Sequence, residues 1–192
     1  MNIKSPSMIK LTSAATFFCL TFSALPALSL TLTSQDIEHG KPMTKQQEFR
    51  GFGCNGGNQS PQLSWSDAPQ GTKSFALTVY DPDAPTGSGW WHWQLVDIPA
   101  DQTELKANAG IADNSGIPKG SQQIPNDYGI AAFGGACPPE GHGKHRYQFT
   151  LHALSVDKLP LPKNPSSALV GYMIGAHSLE TTTLEASYRR DK

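Results

Sequence analysis

Two short stretches of the sequence concentrate side chains able to bind a charged group or move a proton. One is Asp81-Pro82-Asp83-Ala84-Pro85, followed closely by His92. The other runs Cys137-Pro138-Pro139-Glu140-Gly141-His142-Gly143-Lys144-His145-Arg146-Tyr147. Each sets acids or histidines in a Gly/Pro-rich turn beside an alternating strand, a setting that holds polar side chains still. A carboxylate beside an imidazole favours the charged ring. Protonated His92 and His145 would attract an anion, and backbone N–H groups of the glycine-rich loop could add donors. Asp81 and Asp83 oppose that attraction. A site this close to neutral suits small, well-fitted anions, phosphate monoesters or carboxylates, held with modest affinity. Plainer readings stand beside this one. The aspartates could cap turns, His92 between Trp91 and Trp93 could be a satisfied structural histidine, and His145-Arg146-Tyr147 could be the polar start of an ordinary strand.

Strands must bring these groups together. In Ser74–Tyr80, Phe75, Leu77 and Val79 alternate with Ala76, Thr78 and Tyr80. From Trp91 to Ile98, His92, Val96 and Ile98 share one parity. From His145 to Leu154, His145, Tyr147, Phe149, Leu151 and Ala153 do so. Period-two alternation places each set on one face of a sheet. Leu63–Trp65 and Ser29–Thr33 are weaker strand candidates, and Thr181–Tyr188 reads as a short final strand. Sequence neighbours usually pair. If the first two strands are antiparallel, Asp81 and His92 fall at one edge of the sheet, and a third strand starting at that edge adds His145 and Tyr147. The stretch Ala100–Phe133, rich in Gly and Pro, reads as irregular surface wrapping. Pro165-Ser166 opens a helix in which Ala168, Leu169, Tyr172, Met173, Ala176 and Leu179 follow helical spacing. Gly171 and Gly175, one turn apart, would allow close backbone approach. The class is mostly β with a peripheral C-terminal helix.

The bulk composition narrows the function classes. At 192 residues the chain suffices for one domain with a real core. Charged residues make up only 16% and the net charge is −1, which argues against a nucleic-acid groove or a polybasic membrane patch. Lys4 and Lys10 precede an apolar stretch from Leu11 to Leu28, and Ala27-Leu28-Ser29 supplies small residues at a cleavage site. Residues 1–29 therefore read as a secretory signal peptide, with residues 30–192 as the mature domain. Thr12, Ser13, Thr16, Thr21, Ser23 and Pro26 dilute the stretch and weaken the rival reading of a membrane anchor. Removal of the leader takes two lysines and no acids, bringing the charge to −3. It also removes Cys19, leaving Cys54 and Cys137. An even pair in an exported chain reads as a disulfide, worth on the order of 4 kcal/mol on chain-entropy grounds. Free thiols or a shared metal are the alternatives.

At these residues the chain resembles the phosphatidylethanolamine-binding protein family, also called Raf kinase inhibitor-like proteins, in its bacterial YbhB/YbcL branch. The resemblance rests on Asp81-Pro82-Asp83-Ala84-Pro85, Trp91-His92-Trp93, Pro138-Pro139-Glu140-Gly141, Gly143 and His145-Arg146-Tyr147. Gly53-Cys54-Asn55-Gly56-Gly57-Asn58-Gln59-Ser60-Pro61 and Leu63-Ser64-Trp65 add support. It runs from about Thr31 to Arg189. It implies a β-sandwich-like fold around a large antiparallel sheet, a small C-terminal helix, and a pocket that accepts phosphate groups, including the phosphatidylethanolamine head group. The matching positions are Asp81, Asp83, His92, His145 and Tyr147, with Pro85 and Pro138 shaping the walls. The bacterial branch implies a homodimer. Two positions depart from the pattern: Cys137 stands where eukaryotic members commonly have glycine, and His142 occupies a loop position that is usually not histidine. The kinase-inhibitor role of eukaryotic members does not carry over to an exported chain.

The leading expectation is thus a periplasmic or secreted, non-enzymatic binding protein for small anions or phospholipid head groups, without a cofactor. A protein-interaction or inhibitor module acting on an unidentified protein through the Ala100–Phe133 surface is the alternative. An enzyme ranks third, either a zinc site built from His92, His142, His145 and the aspartates or a hydrolase using Cys137 as a thiol. Ser88 lacks the pattern of a nucleophile elbow.

Overall fold

The computed structural model describes residues 1–2 and 28–192. The expected leader, including Cys19, lies almost wholly outside the described residues. In chain order the strands are β1 (Thr31–Thr33), β2 (Arg50–Gly51), β3 (Cys54–Asn55), β4 (Leu63–Ser66), β5 (Ser74–Asp81), β6 (Trp90–Pro99), β7 (Glu104–Leu105), β8 (Gln122–Ile124) and β9 (His145–Leu154). Helix α1 (Ser167–His177) follows and runs straight into β10 (Ser178–Tyr188). The main sheet has the order β10-β9-β5-β6-β8, with every pairing antiparallel. A three-stranded sheet β1-β4-β7 packs over one face, and β2 and β3 form a separate hairpin. The mostly β class is as expected, and β5 and β6 pair antiparallel, the arrangement that sets Asp81 and His92 at one edge of the sheet.

The core between the two sheets takes one parity of each central strand. Phe75, Leu77 and Val79 of β5 meet Tyr147, Phe149, Leu151 and Ala153 of β9, and Leu63 and Trp65 close the far side. The other face of the main sheet is covered only in part. Ala76, Val96, Ile124 and Leu154 pack there against Val170 and Ile174 of α1.

Strict period-two reading fails in β6, for a local reason. The partners of β5 jump from Ile98 to Leu95 between Phe75 and Leu77, and Asp97 takes a left-handed conformation (φ 57°). This bulge sets two residues against one, so Val96 faces α1 while Ile98 faces the main core. A second irregularity skips His92, because Val79 pairs with Trp93 and Tyr80 with Trp91. The shared face expected for His92, Val96 and Ile98 does not exist.

The helix begins where its cap predicts: Ser166 Oγ accepts from the backbone N–H of Leu169. Its buried face differs from the expected one. Val170 and Ile174 are buried, whereas Tyr172 is 72% exposed and Leu179 already belongs to β10. The helix is apolar nearly all round, so spacing alone could not select the stripe that meets the sheet. Of its two glycines, Gly171 faces Trp91 and Gly175 faces open space. The Ala100–Phe133 stretch does more than wrap the surface, since it supplies β7, β8 and the buried Leu105, Ala109, Ile124 and Phe133. No helix among the described residues is long and apolar enough to cross a membrane.

Candidate ligand-binding site

β5 ends where β9 begins. Their antiparallel register runs to Tyr80 opposite Gln148, which brings Asp81 beside the His145–Tyr147 segment. His145 Nδ1 lies 2.7 Å from Asp81 Oδ2, and both side chains are almost fully buried. The second Asp81 oxygen accepts from the backbone N–H of Asp83 at 2.8 Å, so the turn-capping role and the site role coexist. The bulge in β6 delivers His92 to the same place, with its ring edge-on to Tyr147 and Tyr128. Together they line a cavity of about 370 Å³.

The sequence-derived residues Asp81, Pro85, His92, Pro138, His145 and Tyr147 all border this cavity. Asp83 does not. Its carboxylate accepts from the backbone N–H, Nε and Nη2 of Arg146 at 2.8–2.9 Å on the surface. Hydrogen bonding to that guanidinium holds its carboxyl at about 2, well below the usual range. The side chain of Asp83 alternates away from that of Asp81 and finds the cation that β9 presents on its outer face. Among the described residues no cluster of three or more His, Cys, Asp or Glu side chains is arranged to hold a metal ion.

His92 is not the cation that the sequence suggests. Burial pushes its ring toward the neutral form. Its Nδ1–H donates to Gly134 O at 2.7 Å and to Gly135 O at 3.1 Å. With that proton placed, Nε2 is an acceptor, and it is the one ring nitrogen left for a ligand. The two glycines are a packing requirement here: a Cβ on Gly135 would sit 2.3 Å from Gln47 O.

Two donors on the cavity lining are unsatisfied. Trp90 Nε1 and Tyr147 Oη are buried and make no well-formed hydrogen bond, the Tyr147 hydroxyl interacting only weakly with the Asp81 carboxylate. Burial, with the nearby Asp81 carboxylate, pushes the Tyr147 phenol far up, so it stays a protonated donor. Tyr128 is different, since its hydroxyl donates to Gly135 O at 3.1 Å. Phe52, Pro139 and Tyr128 complete the largely apolar walls.

The second wall is pinned covalently. Cys137 is joined to Cys54, across a sequence separation of 83 residues, with the Cα atoms 6.0 Å apart. The bond fixes Pro138-Pro139 to the β2–β3 hairpin, whose tip residue Phe52 is 76% exposed at the rim. Arg190 comes in from the C-terminal tail. It donates to Gly53 O at 3.0 Å and pairs with Glu140. Sequence reasoning missed Arg190, Trp90 and Tyr128 as site residues. Tyr128 and Arg190 reach the cavity from an irregular segment and from the tail, where no periodicity points to them.

The chain matches the family model described as phosphatidylethanolamine-binding protein over residues 33–189. The chain belongs to the phosphatidylethanolamine-binding protein family. Among family relatives it is 53% identical to the UPF0098 protein YbcL of Escherichia coli over 169 residues, covering 88% of this chain and 92% of YbcL. It is 42% identical to YbhB of the same organism, covering 83% of this chain and 99% of YbhB. The solved structure of E. coli YbcL, described as a new member of the mammalian family, superposes with a TM-score of 0.82 at 52% identity. That match covers 84% of this chain and 99% of the other. The family's fold is therefore this fold, and the cavity between β5, β6, β9 and the disulfide-pinned loop is the concave site it offers here.

Proposed function

We propose that the protein is an exported, non-enzymatic binding protein whose pocket takes a small anionic group, either a free phosphate or carboxylate or the phosphate of a phospholipid head group. The observation that carries this reading is the pair of unsatisfied buried donors, Tyr147 Oη and Trp90 Nε1, on the lining of one cavity. A buried donor left unmade costs about 1–3 kcal/mol, which an acceptor oxygen from a ligand offsets. Arg190 adds a fixed cation at the rim. Asp81 limits the net attraction, so shape and hydrogen bonding matter more than charge. The disulfide suits an oxidising compartment, in keeping with the leader read from residues 1–29.

Neutral His92 refines the expected pH dependence. Its bare Nε2 accepts a proton from the ligand, so a singly protonated phosphate fits better than the dianion. Calorimetric titration with inorganic phosphate and with phosphoethanolamine, at about pH 5.5 and about pH 8, tests this, since phosphomonoesters lose their second proton near pH 6. One bound phosphate per chain, tighter at the lower pH, is expected. Tighter binding of phosphoethanolamine than of phosphate would point to a head group. No binding of either by folded protein would overturn the proposal.

A further inference from the structure

His142, the residue that departs from the family's usual pattern, ends a chain of hydrogen bonds that starts inside the pocket. Asp81 Oδ2 meets His145 Nδ1 at 2.7 Å, and His145 Nε2 meets His142 Nδ1 at 2.7 Å. Asp81 and His145 are buried, while His142 is exposed and lies outside the cavity lining. The order of protons follows from chemistry. A carboxylate only accepts, so His145 carries its proton on Nδ1. In the neutral ring Nε2 is then bare and takes the Nδ1–H of His142. That leaves His142 Nε2 as an exposed lone pair, on a ring polarised by a buried carboxylate through a second imidazole. An activated nucleophile has this logic: an attacking atom, a base bonded to its ring, and a third group orienting the base.

The loop supports the arrangement. Gly141 (φ 73°) and Gly143 (φ 93°) flank His142 in the left-handed region. Gly141 N–H donates to Arg190 O at 2.9 Å, and the Lys192 side chain lies against Gly141. The tail thus packs against the loop beside His142, with Lys192 at Gly141 and the Arg190 guanidinium held by Glu140.

The geometry points to His142 Nε2 as a phosphoryl-accepting site, a stoichiometric modification site beside the pocket. With a protonated phosphoramidate as donor, the Nε2 lone pair forms the N–P bond as the donor's P–N bond breaks. Ammonia departs with that electron pair. The imidazolium formed passes its Nδ1 proton to His145 Nε2, and Asp81 holds the resulting cation. The choice of phosphorus over other electrophiles rests on the proposed phosphate pocket; the reactivity of the ring does not.

Two measurements separate these parts. Folded protein is treated with phosphoramidate and, separately, with diethyl pyrocarbonate, and modified peptides are quantified by mass spectrometry. The exposed His39, whose Nδ1 accepts from the backbone N–H of Glu185 at 3.3 Å and which has no second imidazole behind it, serves as a control within the same chain. His142 is expected to react about tenfold faster than His39 with both reagents, to carry an acid-labile phosphate after the first, and to lose the advantage in His145→Gln or Asp81→Asn. His142→Ala, an exposed change that leaves the fold intact, is expected to remove the label. Rates for His142 no greater than for His39 would overturn the inference, even if calorimetry finds phosphate in the pocket. Fast phosphorylation of His142 in protein that binds no phosphate would uphold it while the pocket reading fails.

Discussion

His145 donates from Nδ1 to Asp81 Oδ2 at 2.7 Å, with side-chain exposures of 2% and 4%. The pair joins the first residue of β9 to the last of β5 and forms one wall of the cavity. Removing one partner of such a pair strands the other without water. Asp81→Ala and His145→Ala are each expected to cost about 3 kcal/mol or more. Denaturant unfolding of the single and double variants checks this. The double variant should lose much less than the sum of the singles; full additivity would mean that the pair is not coupled.

Tyr147 separates binding from folding. Its hydroxyl is buried without a well-formed hydrogen bond, so Tyr147→Phe is expected to leave stability unchanged or raise it by up to about 1 kcal/mol. The same change should weaken phosphate binding by about tenfold. Melting curves and calorimetry on one preparation decide the matter, and unchanged affinity would remove the hydroxyl from the site.

Asp83 is expected to be silent in binding, despite its place in the Asp81–Pro85 segment. It serves the Arg146 pair, whose side chains are 29% and 48% exposed. Asp83→Asn should cost no more than about 1 kcal/mol, and less in high salt. The carboxyl is depressed to about 2, so its contribution is complete above the ordinary carboxylate range and fades as pH falls through about 2. Phosphate affinity equal to that of the unsubstituted protein is the expected readout; a loss beyond tenfold would return Asp83 to the pocket.

His152 makes the fold acid-sensitive. It lies on the outer face of β9, near Thr78 and Ser178, and burial pushes its ring down to about 4. In the unfolded chain the ring titrates near its ordinary 6.5, so the unfolded state takes up the proton first. Stability from this residue is complete above about pH 6.5 and declines as pH falls toward 4, by up to about 3 kcal/mol. Urea unfolding across that interval should be clearly flatter for His152→Gln. Parallel pH profiles would contradict the assignment.

The legible part of the site was the part carried on regular strands. Alternation in β5 and β9 sorted their residues onto two faces, and the Asp-Pro and Cys-Pro-Pro turns marked the strand ends where polar groups gather. The family resemblance, now shown, gave the fold and pointed to six residues that do border the cavity. Two kinds of feature escaped. The bulges in β6 change which residues face inward without leaving a mark in the alternation, and they decide where His92 goes. Charge states escaped as well, because they depend on burial: His92 beside an aspartate reads as a cation in sequence and is driven neutral by the surrounding protein.

By itself the sequence determined the class of fold, the strand ends where polar groups gather and the cysteines able to pin a loop. Those follow from local periodicity, turn chemistry and residue type. Only the tertiary structure decided that Asp83 turns to Arg146, that Trp90, Tyr128 and Arg190 enter the pocket, and that Asp81, His145 and His142 form one hydrogen-bonded line. Such outcomes depend on distances between residues far apart in the chain and on the removal of water from between them, and neither is written in any local stretch of sequence.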